Sequence, residues 1–73
     1  FRSFNAECTG DGVRVRRNAG TQYDTIDEYP SLNKTNRVKV IGQKKDNDGV
    51  LWYNVLIQGK FKGYVRNDYI KKI

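Results

Sequence analysis

An all-β domain of five or six short strands is what this sequence predicts, and three observations carry that expectation. Apolar and polar residues alternate over short stretches, as in Val13-Arg14-Val15-Arg16 and Arg37-Val38-Lys39-Val40, the period-2 pattern of strands with one face buried. Val, Ile, Leu and Tyr supply most of the apolar content and Met is absent, a composition that suits a pleated surface better than a helix. Seven glycines break the chain at short intervals, which favours turns over long regular elements. Such strands with one long early loop and no helix of note describe a small barrel or a pair of orthogonal sheets.

The elements follow in chain order. Residues 1–8, FRSFNAEC, read as an opening strand, and TGDG at 9–12 supplies a turn into the alternating GVRVRRNAG at 12–20. These first two segments are expected to form a hairpin. Between Asn18 and Asn36 periodicity disappears, and the only proline, two tyrosines and three carboxylates, Asp24, Asp27 and Glu28, mix with turn formers. A loop this long in so small a domain is either functional or packed by its own side chains. RVKVIGQ at 37–43 resumes alternation, KKDNDG at 44–49 is a polar turn, and VLWYNVLI at 50–57 is the most β-prone run. Gln58-Gly59-Lys60 suits a tight hairpin into FKGYV at 61–65, and RNDYI carries a helical turn before a final short strand, KKI.

With 73 residues the chain makes one domain spanning 1–73, close to the size at which a single core only just outweighs chain entropy. There is no room for two lobes around a cleft. Fourteen Lys and Arg against eight Asp and Glu give a formal charge of +6, which points to anionic partners such as nucleic acid, anionic lipid or acidic wall polymers. The chain begins at Phe1 and has no apolar run long enough for a signal sequence or a membrane span. It reads as a module of a larger protein, with any secretion signal upstream. Cys8 is the only cysteine and histidine is absent, so no internal disulfide forms and the usual metal ligand and general base are missing. Cys8 is expected to pack as a small apolar residue.

Catalysis finds little support. Asp24, Asp27 and Glu28 cluster in the long loop, but acid–base work needs a shaped, water-excluding pocket and a partner group that the sequence does not supply. DNDG at 46–49 has a superficial likeness to a calcium loop, yet the glutamate that such a loop places six residues beyond its glycine is here Val55. No cofactor or metal is expected. The aromatic set, Tyr23, Tyr29, Trp52, Tyr53, Tyr64 and Tyr69, says more, because Tyr and Trp offer a flat apolar face and a polar edge. Some of these must fill the core. Alternation puts Tyr53 on the face of Val55 and Ile57, and Trp52 with Asn54 and Leu56 on the other, without saying which face is inward.

The landmark spacing resembles the bacterial SH3-type domains. GDGVRVRRNAGTQYDTI is similar to the family's opening, a strand with valine and arginine running into a small-residue turn, then an aromatic and an aliphatic. WYNVLIQGKFKGYVRNDYI looks like its closing pattern of Trp, alternating aliphatics, a Gly hairpin, Gly-Tyr-Val and a final Tyr-aliphatic pair. The likeness covers residues 9–71 and departs in two places. Arg14 stands where the family commonly has asparagine, and the segment from Ile26 to Val38 is a few residues longer than its usual spacing.

The resemblance implies an SH3-like barrel of five to seven short strands with a long loop after the first hairpin. It also implies a non-catalytic module, secreted or on the cell surface, that targets an attached catalytic domain such as an autolysin or endolysin to the wall. The expected partner is the stem peptide or cross-bridge of peptidoglycan, with anionic wall polymers as a further possibility and the chain acting as a monomer. Two rival readings are a protein-interaction module for extended or proline-rich peptides and a small basic barrel for nucleic acid, the latter resting only on charge and aromatics. The residues expected to meet the ligand are Arg14, Tyr23, Asp24, Tyr29, Trp52, Tyr53 and Tyr64. Arg16, which aligns with the family's recurrent arginine, is expected to brace the loop by pairing with Asp24 or Asp27.

Overall fold

The computed structural model describes residues 1–73 and contains seven strands and one short 3-10 turn. The strands are β1 (Phe4–Cys8), β2 (Val13–Arg14), β3 (Ser31–Leu32), β4 (Arg37–Lys45), β5 (Leu51–Ile57), β6 (Phe61–Arg66) and β7 (Ile70–Lys72), and the 3-10 turn is Asn67–Tyr69. Five of them form one antiparallel sheet in the order β6-β5-β4-β1-β7, while β2 pairs with β3. The all-β, SH3-like expectation holds. No helix is long and apolar enough to cross a membrane.

The expected hairpin between the first two segments does not form. Both edges of β1 are occupied, one by β4 and the other by β7, so β2 has no edge of β1 to join. The 9–12 segment instead carries the chain from one sheet to the other. Thr9 N–H donates to the Tyr69 carbonyl at 2.9 Å, and Gly12, at φ 64°, donates its N–H to Asn33 Oδ1 at 3.1 Å.

The long loop is more ordered than its sequence suggests. Val15 N–H donates to the Pro30 carbonyl at 3.0 Å, Ile26 N–H to the Val15 carbonyl at 2.9 Å, and Arg17 N–H to the Asp24 carbonyl at 2.8 Å. The loop thus folds back on its own entrance strand and contains β3. Its apolar residues Ile26 and Leu32 are buried in the core, which is what holds a segment of low intrinsic periodicity in place.

Alternation places the core. Ala6 and Cys8 of β1, Val13 and Val15, Val38 and Val40 of β4, Val55 and Ile57 of β5, and Val65 of β6 all point inward with Ile26 and Leu32. Cys8 is buried there as a free thiol, its Sγ 3.3 Å from the Gly10 carbonyl. Tyr53 shares this inward face and meets Phe4 edge-on at 5.7 Å between ring centroids. The Gln58-Gly59 hairpin forms as expected, with φ of 54° and 65° at its two central residues, the left-handed pair of a type I′ turn.

A bulge between Val40 and Gly42 shifts the phase of β4. Before it Val38 and Val40 face inward; after it Gly42 lies opposite Asn54 and Lys44 opposite Trp52. One extra residue therefore turns the polar half of β4 onto the same outer face as Trp52.

Candidate functional site

The outer face of the five-stranded sheet is ordered in rows by the register. Lys44, Trp52 and Arg66 lie side by side, then Gly42, Asn54 and Tyr64, then Lys39, Leu56 and Lys62. Beyond β6, Arg16 exchanges two backbone hydrogen bonds of 2.8 Å with Tyr64. In an antiparallel pairing this brings Arg14, two residues earlier, alongside Arg66. Three arginines thus line one cleft with the tryptophan.

Trp52 is only 3% exposed, yet it is buried apart from the main core cluster. Its indole N–H donates to Asp46 Oδ2 at 2.9 Å. Asp46 Oδ1 accepts the Val50 and Asp48 N–H groups, each at 2.9 Å. The polar 44–49 turn therefore spends its first aspartate on fixing the turn and the ring. The Trp52 indole, followed by the Val50 N–H, holds the Asp46 carboxyl below its ordinary value of 3.8, with the Asp48 N–H and the Arg66 charge acting in the same direction and partial burial opposing them.

Because the folded group is the stronger acid, its stabilising contribution is complete above pH 3.8 and is lost as pH falls through the lower folded value. Thermal melts of the wild type should accordingly drop in the acid range below 3.8. Asp46→Asn should start from a lower midpoint at neutral pH and show a flatter acid decline. Parallel declines for the two proteins would show that Asp46 is not responsible.

The ring floors a cleft of about 250 Å³, lined also by Asp11, Arg14, Arg16, Arg66 and Tyr69. Arg14 has an exposed side chain with no ion-pair or hydrogen-bond partner. Arg16 is half-buried; its Nη1 donates to the Tyr23 carbonyl at 2.9 Å, and its Nε is buried without a partner. Arg66 makes an exposed ion pair with Asp68 at 3.2 Å, and Asp11 Oδ1 accepts the Lys34 N–H at 2.9 Å. Flat, multiply donating cations beside an aromatic wall suit a planar anionic or amide-bearing ligand.

Of the residues expected to meet a ligand, Arg14 and Trp52 line this cleft and the others do not. Tyr23 lies on the loop with 37% exposure, and Asp24 is exposed beside it. Tyr29 and Tyr53 pack against the core. Tyr64 stands in the next row, joined to Arg16 through its backbone. The expected brace also changes hands. Arg17, not Arg16, pairs with Asp27 at 3.2 Å and donates Nε to the Thr25 carbonyl at 3.2 Å, while Arg16 holds the loop through a carbonyl. Consecutive residues point to opposite sides, and the outward side at Arg16 is taken by the cleft.

Arg66, which the sequence reading did not single out, and Tyr69, which it named among the aromatics but not among the expected ligand residues, complete the site. Arg66 was legible in principle, since alternation along FKGYVR puts it on the face of Tyr64. A second, wider groove of about 580 Å³ lies at the Leu56 end of the same sheet, among Arg37, Lys39 and Gln58, and contains no aromatic side chain.

The two loop tyrosines should separate in folding experiments. Tyr29→Ala, which removes a ring from the core edge, is expected to cost about 1 to 2 kcal/mol, within the range for a partly buried aromatic. Tyr23→Ala should stay within about 0.5 kcal/mol of wild type, as for other exposed positions. Urea titrations of both variants check this, and equal losses would contradict the burial pattern.

The family model for the bacterial SH3 domain matches residues 11–71. Neither the curated proteins nor the solved structures give a match to the chain. The matched segment contains β2 to β6 entire, the first two residues of β7 and every residue named around the cleft, and on that match the chain belongs to the bacterial SH3 domain family.

Proposed function

We propose that this domain is a non-catalytic binding module that attaches to peptidoglycan through the wall's peptide portion, stem peptide or cross-bridge, and so holds a linked catalytic domain against the wall from the secreted or surface side. The observation that carries the reading is the cleft over Trp52. It joins an immobilised aromatic floor to three arginines within the segment that matches the family. An extended peptide supplies what such a cleft takes up, namely carbonyl or carboxylate oxygens for the guanidinium donors and flat amide faces for the exposed Tyr69 ring.

The +6 formal charge favours accumulation near an anionic wall. It does not distinguish wall peptide from wall polymer, so the test must. Purified sacculi freed of covalently attached anionic polymers are sedimented with the chain at physiological salt. Saturable co-sedimentation is expected. A chain that stays in the supernatant with stripped sacculi, and binds only unstripped walls, contradicts the peptide reading and transfers the role to the anionic polymers.

A further inference from the structure

We infer that the cleft over Trp52 recognises a free carboxylate of its peptide ligand, held by Arg14, Arg16 and Arg66, an inference that rests on the peptide-binding reading above. The first ground is donor supply. Arg14 has no partner within the chain, Arg16 commits only Nη1, to the Tyr23 carbonyl, and leaves its buried Nε without an acceptor, and Arg66 shares itself only with exposed Asp68. A guanidinium carries five N–H donors and no acceptor, so the three side chains hold far more donors than the protein answers. An incoming group rich in acceptors is the missing complement.

The second ground is geometry. Arg14 and Arg66 come alongside each other across the β2–β6 edge, with Arg16 one row away. Their like charges are held together by strand register and by the Tyr23 carbonyl, with no carboxylate bridging them directly. An anion seated between them relieves that repulsion, and a planar carboxylate matches the guanidinium fork through paired hydrogen bonds.

The third ground selects a single carboxylate over a phosphate-bearing polymer. Asp11 lines one side of the cleft, Asp68 flanks Arg66, and Asp46 lies behind Trp52. These negative groups border the arginines of the pocket of about 250 Å³. A continuous row of phosphates passing through would meet them, whereas one carboxylate at the end or side of a peptide would not. Tyr69, exposed at the cleft, then contacts the adjoining peptide.

The experiment measures binding isotherms to stripped sacculi before and after their carboxyl groups are converted to amides with carbodiimide and glycinamide. Wild type is compared with Arg14→Gln and Arg66→Gln, and with Lys39→Gln and Lys62→Gln, which remove the same charge from the other end of the sheet. Circular dichroism melts confirm folding of each. On untreated sacculi each arginine variant should bind about tenfold or more weakly, the scale of a lost hydrogen bond between charged partners. The lysine variants should bind as wild type does. Amidation should weaken the wild type by a similar factor and remove the difference between wild type and the arginine variants.

Undiminished wild-type binding to amidated sacculi overturns the carboxylate inference while leaving peptide binding standing. Equal losses for the arginine and lysine variants also overturn it, in favour of diffuse charge attraction. Absence of binding to untreated sacculi overturns the underlying reading itself.

Discussion

Gly63→Val should lose about 3 kcal/mol or more of stability, whereas Gly49→Ala should lose about 1 kcal/mol. At Gly63 a β-carbon would overlap Val15 Cγ1 and stand 3.2 Å from the Arg16 carbonyl oxygen, with Ile26 Cδ1 at 3.5 Å. Neither main obstacle can retreat. Val15 is fully buried, and the Arg16 backbone is pinned to Tyr64 by two hydrogen bonds of 2.8 Å. The gain in strand propensity from Gly to Val is about 1 kcal/mol at most. Overpacking a rigid core costs about 3 kcal/mol, and here the Val15–Arg16 segment must also move off β6, against a total stability of roughly 4 to 11 kcal/mol for a chain of this size.

Gly49 has open space around its α-carbon but a φ of 81°, so alanine there pays only the left-handed backbone cost of about 1 kcal/mol. Denaturant midpoints decide the matter. Comparable values for the two variants would mean that the approach of the Val15–Arg16 segment to β6 at Gly63 is not as close as described.

Trp52→Ala should lose both stability and binding. The ring is 3% exposed and its N–H is bound to Asp46, so truncation opens a large cavity and removes a hydrogen bond; the expected cost is about 3 to 4 kcal/mol. Trp52→Phe keeps an aromatic floor and should cost about 1 kcal/mol. The pair separates the two roles, because wall binding by the folded Phe variant reports on the floor of the cleft alone. If Trp52→Ala melted close to wild type, the ring would not be the buried platform on which the site is built.

What the sequence disclosed follows the local or non-local origin of each feature. Alternation in RVKV and VLWYNVLI identified β4 and β5, and Gln58-Gly59 marked the hairpin between β5 and β6, because both signals depend only on neighbours along the chain. The partners of β1 were not legible. Whether its edges go to β2 or to β4 and β7 depends on contacts made by residues thirty or more positions away. β3 was hidden inside a polar loop because two residues, Ser31 and Leu32, carry no period. The bulge at Val40–Gly42 has no signal beyond a glycine, yet it decides that Lys44 shares a face with Trp52.

The candidate site divides along the same line. Arg14 and Trp52 were identifiable as a strand arginine beside a loop and as the sole tryptophan, and they line the cleft. Tyr29 and Tyr53 drew attention through their type, but their rings are spent on the core of a domain too small to leave many aromatics free. Alternation along β6 gives the face of Arg66, but its place beside Arg14 comes from the register between β6 and the Arg16 segment, and Tyr69 reaches the cleft from the 3-10 turn beyond β6, neither of which a local pattern encodes.

Displacement by soluble peptide asks whether the Trp52 cleft is where the wall peptide binds. The chain is first bound to stripped sacculi, and soluble stem peptides released from the same wall are then titrated in. Progressive, saturable release of the wild type is expected, with release of Arg14→Gln requiring no more peptide than its own weakened wall binding implies. Sacculus-bound protein that resists saturating stem peptide but leaves with soluble glycan strands would place recognition on the sugar and contradict the account.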